Sequence, residues 1–447
     1  MKPNFFCRLL CGALLLAALA PSAACAQPGA ADVTAFENVS VIPMDSERTL
    51  RSHTVLVRGD RIVAVGPATS VPVPQGARRI DARGKFLVPG LAEMHGHVPP
   101  PNAPAQYTED VLFLYVASGI TTVRGMLGAP GQLELRARTN RGELLGPTLY
   151  LAGPSFNGNS VNTPEQAVQM VREQRAAGWD LLKIHPGLTR PEYDAMARAA
   201  AQEGLRFGGH VPADVGLMHA IAMGQETFDH VDGYVEYAGG AEGPIDAAKL
   251  DSAVRATREA GAWVVPTMAL WEVLYNTLPL DSLLAYPELR YTSAQSVRSW
   301  TNAYNQRRNA PDYDAPTARR SIDARQRVLA ALHRGGAGIL MGTDAPQQFS
   351  VPGFSLHREF PRMRAAGMTP YDILVTGTRN VGEYFQRQDA FGTIAVGRRA
   401  DLLLVDADPL ADVANLQRIA GVMVRGRWLP REEIQAGLRA IEARNPR

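Results

Sequence analysis

Eight short apolar runs, separated by stretches with helical punctuation, constrain this 447-residue chain more than any other feature. They cover residues 86–93, 120–124, 148–152, 181–184, 205–209, 226–229, 263–267 and 338–342. Runs this short and this apolar read as strands buried on both faces. The segments between them carry helix starts and stops. In Thr163-Pro164-Glu165-Gln166, Thr163 is an N-cap, Pro164 takes the first helical position and Gln166 can complete a capping box. Thr189-Arg190-Pro191-Glu192 repeats the logic, and Gly204 is placed to end that helix. Strands alternating with crossover helices imply a parallel sheet, and eight of them imply an α/β fold of the (β/α)8, TIM-like barrel type over residues 86–388.

The flanks read differently. From Val33 to Arg83 short strands alternate with turns, as in Ser40-Val41-Ile42-Pro43 and Arg61-Ile62-Val63-Ala64-Val65. The pattern returns after Asp389 in Asp401-Leu402-Leu403-Leu404-Val405-Asp406 and Ile419-Ala420-Gly421-Val422-Met423-Val424-Arg425. Both chain ends, 27–85 and 389–447, are therefore expected to form one small β-sandwich with a terminal helix.

Residues 1–26 read as a secretory signal peptide: Lys2 and Arg8, an apolar stretch from Leu9 to Ala20, and the small-residue site Ala24-Cys25-Ala26 with cleavage after Ala26. A lipoprotein anchor at Cys25 is the minor option, because Ser22 stands where a large aliphatic residue is usual. The expected location is periplasmic or secreted. All three cysteines, Cys7, Cys11 and Cys25, lie in this segment, so the mature chain would have no disulfide, thiolate ligand or cysteine nucleophile. Without Lys2 and Arg8, 44 basic residues face 44 acidic ones. That balance offers no basic patch or charge run that suggests nucleic acid, and no membrane partner is expected after cleavage. A homo-oligomer is compatible with the sequence, which does not specify one.

Groups that bind metal ions sit at the ends of runs one, four, five, six and eight: His95 with His97, Lys183, His210, His230 and Asp344. In a barrel these ends share one face, so residues 249 positions apart would converge. Side chains alternate along a strand, so the two imidazoles of His95-Gly96-His97 project to one side and can grip one ion. A His-x-His alone is weak evidence; the later positions give it weight. His185 lies two residues beyond Lys183 and faces the same way, Tyr234 follows His230 by four residues, and Arg124 ends run two. These three are candidate substrate contacts, although a loop histidine or a structural ion pair for Arg124 is as reasonable. His53, His219, His333 and His357 read as surface or helix residues.

Taken together, Pro89-Gly90-Leu91-Ala92-Glu93-Met94-His95-Gly96-His97, Gly119-Ile120-Thr121-Thr122-Val123-Arg124 and the stretch from Gly392 to Val405 resemble the amidohydrolase superfamily, in its imidazolonepropionase-like and prolidase-like branch of metal-dependent hydrolases. The resemblance covers nearly the whole chain after the first thirty residues. It implies a small-molecule substrate and two zinc ions, or two ions of another divalent metal, per chain. His95, His97 and Asp344 would hold the more buried one and His210 and His230 the other, with a carbamate on Lys183 and a hydroxide between them. Read on its own, Lys183 would more simply be a lysine snorkelling to solvent or paired with an acid. Arg could not form a carbamate, and in a chain with only four Lys its presence here is informative. The resemblance further implies that Asp344 is the general base and acid, in an exported hydrolase of a C–N bond in a dipeptide of the Xaa-Pro type or an N-acyl amino acid. Two departures concern the surroundings and not the ligands: Glu93 stands where Asp is usual, and Gly125 follows Arg124 where Asp is frequent. The alternatives are a mononuclear deaminase or cyclic amide hydrolase of the same superfamily, and a non-catalytic binding protein.

The connection after Met268 is much longer than a crossover needs and is rich in aromatic and Arg residues. It reads equally as a helical pair packed on the barrel or as a lid.

Overall fold

The computed structural model describes residues 33–240 and 243–446. The expected signal peptide lies outside them. Among the described residues no helix is long and apolar enough to cross a membrane.

The eight barrel strands are Leu91–Gly96, Ile120–Gly125, Thr148–Leu151, Leu181–Ile184, Arg206–Gly209, Thr227–Asp229, Trp263–Val265 and Gly338–Ile339. Every neighbouring pair is parallel: the first three form one ladder and the other five a second. A parallel bridge between Ala152 and Leu181 joins strands three and four. On the other side the Met94 N–H donates to the Met341 carbonyl (2.8 Å) and the Asp344 N–H to the His95 carbonyl (2.7 Å), which closes strand eight onto strand one. Between the strands, Thr163 accepts from the Gln166 N–H to start helix Pro164–Ala177, and Gly178 ends it at φ 87°. Helix Arg190–Glu203 opens with the Glu192 carboxylate accepting from the Thr189 N–H (2.8 Å) and stops at Gly204, φ 65°. Only residues that tolerate the left-handed region end helices this way cheaply.

The structure divides the first apolar run. Phe86–Pro89 pairs with Val33–Val41 and Leu402–Val405 in the terminal sheet, and the barrel begins at Leu91. Gly90 is the crossing point: a Cβ there would lie 2.3 Å from the Thr121 hydroxyl oxygen, so a larger residue would push the two sheets apart.

The chain ends do meet, but not as two stacked sheets. They form one eight-stranded mixed sheet running Arg427–Pro430, Ile419–Val424, Leu402–Val405, Phe86–Pro89, Val33–Val41, Leu50–Arg58, Arg61–Pro67, with Arg78–Asp81 added beside Val33–Val41. The rings of Phe36 and Trp428 meet at 5.1 Å although three strands lie between theirs on this path. Flat spacing would separate them by about 19 Å. The sheet therefore curls over on itself, enclosing Val55, Ile62, Leu402 and Leu404. Its other face, with Val88, Leu403 and Val405, belongs to the barrel's core.

The long connection after strand seven contains helices Met268–Leu274, Leu280–Leu284, Ala294–Arg308 and Ala315–Arg334. Leu283, Leu289 and Tyr304 share a cluster with Leu114, Phe349, Val351 and, from the terminal helix Arg431–Arg444, Ile441. Its middle portion is thus held by an apolar core of its own.

Candidate functional site

Burial on both faces of a short strand makes any polar side chain at its end costly unless it finds partners. Here the partners are one another. Lys183, at the end of strand four, is fully buried; its Nζ lies 3.3 Å from His95 Nε2 and 3.9 Å from the Asp229 carboxylate. Burial lowers its pKa. Asp344 Oδ1 is 2.5 Å from His97 Nε2 and 3.7 Å from His95 Nε2, and its Oδ2 is 3.9 Å from His230 Nε2. The His230 ring lies 4.5 Å from that of His95 and 4.6 Å from that of His210. Asp344 and His230 both have left-handed backbones, φ 65° and 66°, which turn the chain sharply where the strands end.

The far edges of these imidazoles are held as well. Asp232 lies 2.6 Å from His210 Nδ1, and the Thr267 hydroxyl 2.7 Å from His230 Nδ1. Asp229 is 2.8 Å from His95 Nδ1, although off the hydrogen-bonding direction. Partners at Nδ1 leave Nε2 as the acceptor edge. Glu93 ties strand one to strand eight. One oxygen accepts from the N–H groups of His95 (3.0 Å) and Thr343 (2.8 Å), and the other accepts from the Thr343 hydroxyl. Burial pushes Glu93 up to about 8. Burial, and then the charge of neighbours including Lys183, drives His95 and His230 well below the usual histidine range. They are neutral, the form that binds metal.

All six groups at the strand ends thus gather in one place. The tightest grouping is His95, His230 and Asp344, each of which offers a ligand atom within 4.8 Å of the others. His97 contacts Asp344 directly and is more exposed than His95. Imidazole nitrogens and a carboxylate brought this close together suit a divalent cation such as zinc. His185 adjoins them: its ring stacks on that of His210 at 5.0 Å, its Nδ1 is buried without a partner, and burial beside Lys183 pushes it down to about 3.

Two expected substrate contacts are elsewhere. Tyr234 is fully buried and its hydroxyl pairs with that of Thr257 at 2.6 Å. Gly233, φ 82°, turns the chain outward before helix Tyr234–Tyr237, so the phenol enters the helix layer and not the site. Arg124 is fully buried inside the barrel. Its guanidinium donates to the Met94 carbonyl (2.6 Å), the Thr227 hydroxyl (3.0 Å) and Asp229 (3.2 Å), so no donor edge is left for a substrate carboxylate. The discounted histidines lie apart: His219 pairs with Asp194, His333 faces Asp372, His53 lies against the Arg51 carbonyl and His357 packs on Phe360.

Asp229, Asp232, Thr267 and Arg325 were not anticipated as parts of the site, and Trp271 belongs to the long connection read equally as a packed helical pair or a lid. Asp229 and Asp232 bracket His230, and a carboxylate inside an apolar run was itself a signal. Thr267 ends run seven, so its place was also readable. Arg325 had no local signal. It comes from helix Ala315–Arg334, donates to the His230 carbonyl and lies over the Trp271 ring at 3.8 Å, and that ring is 6.0 Å from His230.

Among characterised proteins, the chain is 24% identical over 394 residues to adenine deaminase 3 of Rhizobium meliloti, a match covering 84% of this chain and 54% of that protein. It is 24% identical over 404 residues to imidazolonepropionase of Streptomyces coelicolor, covering 84% of this chain and 92% of the relative. The chain thus spans about half the length of the deaminase and nearly all of the imidazolonepropionase. Its fold matches the crystal structure of a Xaa-Pro dipeptidase with bound methionine in the active site, with a TM-score of 0.68 and 21% identity over 89% of this chain and 100% of that one. The amidohydrolase family model matches residues 86–429, a span that holds every barrel strand and the whole histidine, lysine and aspartate cluster; the chain belongs to the amidohydrolase family.

Proposed function

We propose that the chain is an exported, binuclear metal-dependent hydrolase that cleaves the C–N bond of a small peptide-like substrate, a dipeptide of the Xaa-Pro type or an N-acyl amino acid. The observation that carries this reading is the placement of Lys183: fully buried, 3.3 Å from His95, with no carboxylate among the described residues nearer than 3.9 Å, in the midst of the ligand-type side chains. A structural lysine would be paired or would reach solvent. As a carbamate it becomes an anionic oxygen ligand, and the same position makes chemical sense. His95, His97 and Asp344 would hold one zinc, His210 and His230 the other, with Lys183 between. When bound, the metal ions acidify a water and polarise the scissile carbonyl.

The protein's own groups supply the rest. Asp344, about one-tenth exposed, is open to the substrate side and is oriented by His97. It takes the proton of the attacking water and returns it to the nitrogen as the C–N bond breaks. Asp232, Asp229 and Thr267 hold the imidazoles in position. Trp271, stacked under Arg325, offers an apolar wall beside His230. The leader-like first 26 residues and the cysteine-free remainder support export.

A second reading is a mononuclear deaminase or cyclic amide hydrolase. It is favoured by the compact grouping of His95, His230 and Asp344 and by the activities named for the two curated relatives. A non-catalytic binding protein is the weakest of the three, since a binder has no use for so many buried polar groups. Metal content of the purified protein separates the readings: about two ions per chain, one, or none. Hydrolysis of a panel of Xaa-Pro and Xaa-Arg dipeptides and N-acyl amino acids then tests the substrate class; deamination of adenine or opening of an imidazolone ring without dipeptide cleavage would overturn the first reading.

A further inference from the structure

The nitrogen edges of the clustered histidines are not held alike. His210 faces a carboxylate, Asp232 at 2.6 Å, which accepts only and so favours the tautomer with the proton on Nδ1, whereas Asp229 lies 2.8 Å from His95 Nδ1 but off the hydrogen-bonding direction. His230 faces a hydroxyl, Thr267 Oγ1 at 2.7 Å, which can accept or donate. Its ring orientation and tautomer therefore depend on where Thr267 is fixed.

Thr267 is fixed at a strained place. It is fully buried and sits at φ 46°, ψ 47°, the left-handed region that a β-branched residue rarely occupies. It is also the residue before helix Met268–Leu274, where a threonine hydroxyl would ordinarily cap the exposed N–H groups, yet its side chain makes no such bond. The hydroxyl is turned to His230 instead. The capping is done from another element by Glu359 of helix Leu356–Ala365. One carboxylate oxygen accepts from the Met268 N–H (2.9 Å) and the other from the Ala269 N–H (2.7 Å). Glu359 is fully buried and, among the described residues, has no cation within 4.0 Å. With no ion partner that close, the burial of this carboxylate is offset mainly by the two backbone N–H groups it accepts from, which commits both its oxygens to the start of helix Met268–Leu274.

We infer that Glu359 and Thr267 act as a positioning pair for His230: the Glu359 carboxylate takes over the helix cap, which frees the Thr267 hydroxyl to hold the His230 ring with its Nε2 edge toward Asp344. The inference rests on the metal-site reading above. It adds two residues, one of them on an element that contributes nothing else to the cluster, as determinants of how firmly one ion is bound.

Zinc affinity and stoichiometry, measured by chelator competition on the intact protein, test it with Thr267→Val, Thr267→Ser and Glu359→Gln. Valine keeps the shape and branching and removes the hydroxyl; it is expected to weaken one of the bound ions by about 10- to 100-fold, while serine stays near wild type. Glutamine offers one acceptor oxygen and turns an amide NH2 toward a backbone N–H, so it is expected to weaken the same ion. Affinity of the valine variant within about twofold of wild type, or equal losses in the valine and serine variants, would overturn the role of the hydroxyl. Unchanged affinity in a folded Glu359→Gln protein would overturn the role of the carboxylate, and should that variant not fold, the valine and serine pair decides. Failure of the wild-type protein to bind zinc would instead sink the metal-site reading, which keeps the two failures distinct.

Discussion

The Arg124 guanidinium lies 3.2 Å from the Asp229 carboxylate with both side chains wholly shielded from solvent. Asp229 also approaches His95 Nδ1 and Lys183 Nζ, so Arg124 supports the cluster from beneath. Its long side chain reaches across the barrel from strand two to strand six, tying the Met94 carbonyl to Thr227 on the way.

Arg124→Met should therefore act on stability. Removing one partner leaves the Asp229 charge buried and uncompensated, which costs about 3–5 kcal/mol. Urea denaturation is expected to show that loss; an unchanged midpoint with a raised KM would return Arg124 to the substrate pocket.

Tyr234→Phe should leave catalysis alone. Among the described residues the hydroxyl bonds only to Thr257, in the helix layer, so its loss should cost about 1 kcal/mol of stability, with kcat/KM changed by less than about twofold. A large fall in kcat with stability intact would mean the hydroxyl reaches substrate.

Lys183→Arg should abolish metal binding and turnover together, because arginine keeps the charge but cannot become an anionic ligand. Lys183→Ala should be equally inactive, and short carboxylic acids added to the assay should restore part of the activity by entering the vacated space. A wild-type-like Arg variant would eliminate the carbamate and favour the mononuclear reading.

Asp344→Asn should keep the fold and lose nearly all turnover, a fall of about 10²- to 10⁴-fold in kcat, since an amide cannot carry the proton from water to nitrogen. Retention of most activity would place the base on another residue.

Glu359 gives stability a pH dependence. Burial raises it from 4.5 to about 7, opposed by its bonds to the Ala269 and Met268 N–H groups and by Arg362, with Glu272 adding to the rise. The native state then holds a proton that the unfolded chain has released. Its contribution to stability is fully present below about 4.5, falls as pH rises through 7, and is constant above that. The fall is on the order of 3 kcal/mol. Glu359→Gln should flatten this part of the pH profile in chemical denaturation; an unaltered slope would show that other groups set it.

The barrel was legible because its signals are local: eight short apolar runs, and caps such as Thr163, Thr189 and Gly204 that act within one turn of their own helix. Run one was misdivided because nothing in its apolar pattern marks Gly90; only the nearness of Thr121, thirty-one positions on, shows that the backbone crosses there between two sheets. Strand pairing and the curl that brings Phe36 to Trp428 are non-local in the same way.

The sequence by itself determined which groups could form the cluster, because strand ends in a barrel share a face and alternation sets which side chains point inward. Tertiary structure decided what each group touches. Arg124 and Tyr234 carry the right chemistry for substrate contact, yet one spans the barrel interior to Asp229 and the other turns away behind Gly233 to Thr257. Thr267 and Arg325 come to His230 from positions 37 and 95 residues further along the chain, and Glu359, 129 residues on, bonds to the two residues that follow Thr267. A buried polar group takes whichever partner packing places within about 3 Å, and that partner is set by how helices lie on the barrel, which no local pattern encodes.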